Sequence, residues 1–179
     1  MDAAMQIRTE LSSHGYNKIL RWLNNTDFFE APASGHYHGV WDGGLAEHSY
    51  EVYKVLDKLT ADGLVTWDRP ESPLIIGVLH DVCKIGTYEK YLDYENIMRY
   101  RYKNTITDSY EHGSKSVRLI EEHGLKLTEQ ERMCIWYHMG TWTQDIDSTD
   151  LPYTKVVSKY PAVLWVHTAD MYVSQVLKI

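Results

Sequence analysis

The chain has 179 residues, which at about 150 residues per domain makes one compact unit. A chain of this size buries about 70% of its unfolded surface, so its core needs no disulfide or structural metal. Lys and Arg number 18 against 25 Asp and Glu, a net charge of −7 that disfavours nucleic-acid backbones and anionic membranes as partners.

Fourteen Tyr and six Trp stand against two Phe. Rings with a polar tip suit half-wet clefts and interfaces, so a large pocket or a subunit contact is expected, the latter in a homo-oligomer. Nine His are many for this length, and His is both the commonest metal ligand and the usual proton carrier. The two Cys, Cys83 and Cys134, lack a paired zinc-type spacing. Met1–Gln6 has no signal-peptide pattern, and the longest apolar run, around Leu74–Leu79, falls far short of the ~18 residues of a membrane span. A soluble cytoplasmic protein is expected, with no membrane contact.

Periodicity predicts helices over Ala4–Leu11 and Tyr16–Leu23, the second with Ile19, Leu20 and Leu23 on one face. The loop from Phe28 to Gly44 is rich in small and aromatic residues. It exceeds the ~12–15 residues of a passive connection, which makes it a candidate lid or pocket wall. Leu45–Leu59 reads as an amphipathic helix. Ser72-Pro73 reads as the start of the next, Ser72 capping it, and Leu74–Lys84 is apolar nearly all round and therefore central. Between Tyr88 and Ile106 alternation predicts an extended hairpin. Helices over Ser109–His123, Thr128–His138 and Lys159–Val176 complete a mostly α, single-domain fold over 1–179, with the 1–27 helices packed on it. Thr128 and Glu131 form a capping box at the start of the second of these three helices.

Six residues within or at the ends of these helices carry the chemistry: His48, His80, Asp81, His112, His138 and Asp170. His80-Asp81 follows the most apolar segment, Ile75-Ile76-Gly77-Val78-Leu79. A carboxylate at that depth is costly unless paired, and a divalent cation is its natural partner. The plainer alternative is a His-Asp pair exposed where the helix emerges.

The segments Gly43-Gly44-Leu45-Ala46-Glu47-His48-Ser49, His80-Asp81-Val82-Cys83-Lys84-Ile85-Gly86 and Ala169-Asp170, in this order, resemble the motifs of the HD-domain superfamily of metal-dependent phosphohydrolases. The resemblance runs from about Phe28 to Val176. It implies a helical bundle in which His48, His80, Asp81 and Asp170 hold one ion. His112 and His138 match the two further histidines of the two-metal branch, where Asp81 bridges both ions. The separations are 31 residues from Asp81 to His112, 26 more to His138 and 32 more to Asp170. Such a centre activates water at neutral pH. A mixed N/O ligand set accepts Mn, Co, Zn, Fe or Mg, as one or two ions. His112 and His138 have a second reading, as core histidines or phosphate contacts above a single ion.

Lys84, three residues after Asp81, would meet a substrate phosphate or the bridging water, so Asp81, Lys84 and His112 are the candidate catalytic groups. A one-metal nucleotidase of the superfamily carries Glu at that point. Arg99, Arg101 and Lys103 alternate with Tyr100 and Tyr102 on the expected hairpin. With Lys84, Lys115 and Arg118 they are candidates to receive a triphosphate; the bland alternative is a solvated edge strand. His36 and His38, on the Gly-rich loop, and Trp41 complete the candidate substrate contacts. His14, His123 and His167 are expected to be structural or exposed.

The chain is most similar to small stand-alone phage and bacterial members of the superfamily, through Ala31-Pro32-Ala33-Ser34, the Gly43–Ser49 block and Trp136-Tyr137-His138-Met139-Gly140. That likeness implies hydrolysis of a nucleotide in a bacterial or phage-infected cell, foremost a deoxynucleoside triphosphate of the dATP type cut to nucleoside and triphosphate. Two other activities share parts of the pattern. One is a 3′–5′ exoribonuclease, whose extra nucleic-acid-binding domain is not expected here; no stable nucleic-acid complex is expected. The other is a di-iron oxygenase. A non-catalytic binding module is a third option, disfavoured by the intact ligand set.

Overall fold

The computed structural model describes residues 2–103, 112–142 and 152–179. The fold is mostly α with one small hairpin. In chain order it comprises α1 (Ala3–Ser13), α2 (Asn17–Asn24), α3 (Gly44–Ala61), α4 (Ser72–Leu79), β1 (Tyr88–Leu92), β2 (Met98–Tyr102), α5 (His112–Glu122), α6 (Glu129–Trp136), α7 (Tyr153–Lys159) and α8 (Ala162–Met171). No described helix is long and apolar enough to cross a membrane.

Every residue of α4 is buried. A helix apolar all round belongs at the centre, and α4 packs against α1, α3 and α6. The closest crossing is with α3, where a β-carbon on Gly77 would run into the backbone of Tyr53. Leu45, Val52 and Leu56 of α3, Ile75, Ile76 and Leu79 of α4, Ile120 of α5, Ile135 of α6 and Val163 and Val166 of α8 form one apolar cluster. Ile7 and Leu11 of α1 and Ile19 and Leu23 of α2 join the same cluster, so the N-terminal helices share the core.

Two expected helices depart from their sequence-based reading. The central helix stops at Leu79, and a tight 3₁₀ turn, Val82–Lys84, follows. Ser72 is not the cap of α4: it lies inside the helix, and its hydroxyl donates to Glu131 instead (2.8 Å). The expected helix over Lys159–Val176 is broken. Pro161 holds Tyr160 outside helical geometry (φ −127°, ψ 79°), so α7 ends there and α8 begins anew. Beyond α8 the chain continues as a π-type turn, Tyr172–Leu177.

The capping box of Thr128 and Glu131 is present at the start of α6. The strands pair antiparallel, Tyr88 opposite Tyr102 and Leu92 opposite Met98. Ser109, the expected first residue of α5, and Ile106, the expected end of the hairpin, lie outside the described residues.

Candidate metal centre

Five helices and one turn deliver the six expected ligands to one place. His48 comes from the first third of α3, His80 caps the C-terminus of α4 and Asp81 opens the 3₁₀ turn. His112 starts α5, His138 follows α6 and Asp170 closes α8. His48, His80 and His138 are wholly inaccessible and Asp81 and Asp170 nearly so.

The imidazoles are oriented by a common device. The Nδ1 of His80 donates to the Gly77 carbonyl (2.9 Å), and that of His138 to the Ile135 carbonyl (2.6 Å). Both acceptors lie in the last turn of a helix, where carbonyls lack intrahelical partners. The Nδ1 of His48 faces the main-chain oxygen of Ile179 at 2.9 Å. A carbonyl oxygen only accepts, so Nδ1 carries the proton and Nε2 carries the lone pair of the neutral ring. All three Nε2 atoms are buried without a hydrogen-bond partner.

They converge on the carboxylates. Asp81 Oδ2 stands 3.7 Å from His48 Nε2 and 3.6 Å from His80 Nε2. Its Oδ1 stands 3.4 Å from His138 Nε2 and 2.6 Å from His112 Nε2. Asp170 Oδ1 is 3.1 Å from His48 Nε2. Lone-pair nitrogens aimed at carboxylate oxygens repel unless a cation lies among them, and pinning the second ring nitrogen is how proteins orient histidine ligands. The donor set therefore fits a divalent metal ion. The ligand atoms of His48, His80 and Asp81 lie within 4.8 Å of one another, as do those of Asp81, Cys83 and His112.

In the chain alone, the positive charge beside Asp81 comes from Lys84 and His112. Lys84 Nζ is 2.6 Å from Asp81 Oδ2. The i,i+3 spacing achieves this because side chains three apart eclipse in a 3₁₀ turn. Burial opposes the ionised form of Asp81, but Lys84, His80 and His112 together hold its carboxyl well below the usual range. Burial likewise works against the Lys84 ammonium, and Asp81 outweighs it, raising the Lys84 pKa. Burial and the neighbouring His138 and His48 lower the His80 pKa to about 4, keeping it a neutral donor. His112 departs the other way: burial lowers its pKa, but Cys83 and Asp81 carry it up to about 10.

No family model, curated protein or solved structure matches the chain. The functional reading therefore rests on this geometry and on the motifs.

The expected substrate contacts divide in two. His38 turns inward: its ring lies 5.1 Å from that of His48, and both its nitrogens are buried without a partner. Burial first, then Lys84 and His48, lower its pKa to about 4. The loop is folded for this purpose around Ser34, whose hydroxyl accepts from Tyr37 N (2.9 Å) and His38 N (3.0 Å) and donates to the His38 carbonyl (2.7 Å). Lys115 sits on α5 one turn after His112. His36 is exposed, as is Trp41, whose indole donates to Glu47 (2.9 Å). Arg99 pairs with Asp93 (3.0 Å) and Arg101 with Glu89 (2.8 Å) on the hairpin surface, so their charges are engaged locally.

Three groups at the centre were not singled out from the sequence. Cys83 places its sulfur 3.3 Å from His112 Nδ1. His167 donates from Nδ1 to the His138 carbonyl (2.7 Å), fixing the backbone of a candidate ligand. Ile179 orients His48 from 131 residues away. A lone cysteine and a distant main-chain oxygen leave no periodic signal in a sequence. The i+3 carbonyl pattern of a His just past a helix end does leave one, at His80 and His138.

Proposed function

We propose that this chain is a metal-dependent phosphohydrolase acting on nucleotides, foremost a deoxynucleoside triphosphate of the dATP type released as nucleoside and triphosphate. The observation that carries the reading is the set of three buried imidazoles, each with Nδ1 on a main-chain oxygen and Nε2 unpaired toward Asp81 or Asp170. The substrate class rests on the motif resemblance, supported by the inward cation at Lys84.

His48, His80, Asp81 and Asp170 would hold one ion, and His112 and His138 would share Asp81 with a second. A divalent ion there supplies Lewis acidity, which brings coordinated water toward neutral pKa and offsets charge on a phosphate oxygen. Lys84, anchored on Asp81, offers its remaining ammonium protons to a phosphate oxygen. His38, neutral and without a protein partner, offers one ring N–H and one acceptor nitrogen to the substrate. The buried walls of α3, α4 and α8 exclude bulk water, which strengthens each of these contacts.

The test is a product assay with each dNTP and rNTP in the presence of Mn, Co, Zn or Mg, resolved by ion-pair chromatography. Nucleoside appearing with triphosphate for one base above the rest is the expected result. Absence of turnover with every nucleotide and metal overturns the reading.

A further inference from the structure

We propose that Cys83 is a thiolate ligand, which makes the Asp81–His112 side of the centre a thiophilic cation position distinct from the all-N/O position at His48 and His80. The inference rests on the metal-centre reading above and deepens it, because it assigns different ions to the two sides.

Asp81 divides the cluster. Its Oδ2 faces His48, His80 and Lys84, while its Oδ1 faces His112 and His138. Cys83 belongs to the second side. Its sulfur lies 3.3 Å from Nδ1 and 3.6 Å from Nε2 of His112, and its ligand atom falls within 4.8 Å of those of Asp81 and His112. Sulfur and nitrogen bound to one tetrahedral zinc, at about 2.3 and 2.1 Å, stand about 3.6 Å apart.

Two further observations point to a ligand here. His138 Nε2, completely buried, has no hydrogen-bond partner and is aimed at the same Oδ1 from 3.4 Å. The backbone of Cys83 is also held on both sides. Its amide donates to Ser116 Oγ (3.2 Å), and its carbonyl accepts from Thr87 Oγ1 (3.2 Å). Ser116 lies one turn after His112 on the same face of α5, so one helix positions both the imidazole and the thiol. Filling the position opens the 2.6 Å Asp81–His112 contact, since both atoms become ligands, and releases two protons to solvent, one from the Cys83 thiol and one from Nε2 of the His112 imidazolium.

A thiolate beside imidazoles and a carboxylate selects Zn²⁺ or another thiophilic ion over Mg²⁺. The opposite position, with oxygen and nitrogen donors alone, carries no such preference.

Cobalt(II) titration of the full chain tests this, since a sulfur ligand gives a near-ultraviolet sulfur-to-cobalt charge-transfer band. The expected result is two equivalents bound, the band growing with one of them. In Cys83→Ser the band is lost and one equivalent weakens at least tenfold while the other is retained; Cys134→Ser behaves as wild type. Cobalt binding without the band, or a band that persists in Cys83→Ser, overturns the inference and leaves the His48–His80 position standing. Failure of the wild-type chain to bind any cobalt overturns both. Cys83→Ala, with its fold checked by circular dichroism, repeats the test without a hydroxyl. Cadmium NMR of the wild-type protein reads sulfur coordination with no substitution, and a shift typical of N/O ligands alone overturns the inference.

Discussion

His48 Nε2 lies 3.1 Å from Oδ1 of Asp170, yet the pair lacks the alignment of a hydrogen bond. With Nδ1 of His48 committed to the Ile179 oxygen, a neutral ring opposes a lone pair to a carboxylate lone pair. The contact makes sense as two ligands of one cation and costs free energy otherwise. Asp170→Asn should therefore separate metal binding from folding. Its amide can donate to Nε2, so the chelator-treated variant melts at or above the wild-type temperature. Metal retention, measured by elemental analysis after dialysis, falls, and hydrolysis drops by at least about 100-fold, more than the loss typical of an outer-shell group. Wild-type metal content in this variant refutes the ligand assignment.

The Ile179 oxygen reaches His48 because Lys178 adopts a left-handed conformation (φ 63°) and the Ile179 amide donates to the Val173 carbonyl (3.2 Å). Removing residues 178 and 179 frees the His48 ring without touching any ligand. Metal affinity, read by competition with a chromophoric chelator, should fall about 10–100-fold, the range found for lost outer-shell partners. An unchanged affinity means that α3 alone orients the ring.

Much of the centre was legible because its ligands punctuate helices. His138 closes an expected helix and His80 follows an apolar helical run, and Asp81 could not sit beside such a run without a counter-charge. The motif order added His48 and Asp170. The hairpin and the Thr128–Glu131 box were equally plain, since both rest on local spacing. What escaped was non-local. The break at Pro161 was overridden by the apolar periodicity on either side, although the residue before a proline resists helical geometry. The engagement of Arg99 by Asp93 and Arg101 by Glu89 depends on strand register, so two of the three alternating cations looked more available than they are.

Glu131 shows how the site is held from outside. It is completely buried, accepts from Arg69 through two bonds (2.7 and 2.6 Å) and from the Ser72 hydroxyl (2.8 Å), and also receives the Thr128 amide (2.9 Å). One carboxylate thus ties the start of α4 to the start of α6, the helices that end in His80 and His138. Arg69→Ala leaves that charge buried and unpaired, a change that costs about 3–5 kcal/mol. Urea unfolding should register it as a lower midpoint at unchanged slope. A loss below about 1 kcal/mol, the level of a surface pair, shows that the carboxylate is not relying on Arg69.

Gly113 follows His112, and a β-carbon there would strike the carbonyls of Trp136 and Ile135. Neither obstacle is a flexible side-chain tip, so α5 must move away from α6. Gly113→Ala is expected to cost about 1–3 kcal/mol by overpacking. Because His112 is the adjacent residue, the same substitution draws it away from Asp81. The variant should lose one metal equivalent while keeping the other, a split that a purely global destabilisation does not produce.

Stability should also fall at high pH. Burial, reinforced by Glu10 and Asp57, pushes the Tyr53 phenol up to about 12, and burial raises Tyr88 and Tyr100 in the same direction. An unfolded tyrosine ionises near pH 10. Between pH 10 and about 12 the folded chain therefore holds protons that the unfolded chain has released, and stability declines as pH rises through that window. Below pH 10 both states are protonated at these groups, and their contribution is fully present. Urea midpoints measured at pH 9 and pH 11 should show the decline, and it should be smaller in Tyr53→Phe, which has no proton to lose. An equal decline in that variant assigns the effect to other groups.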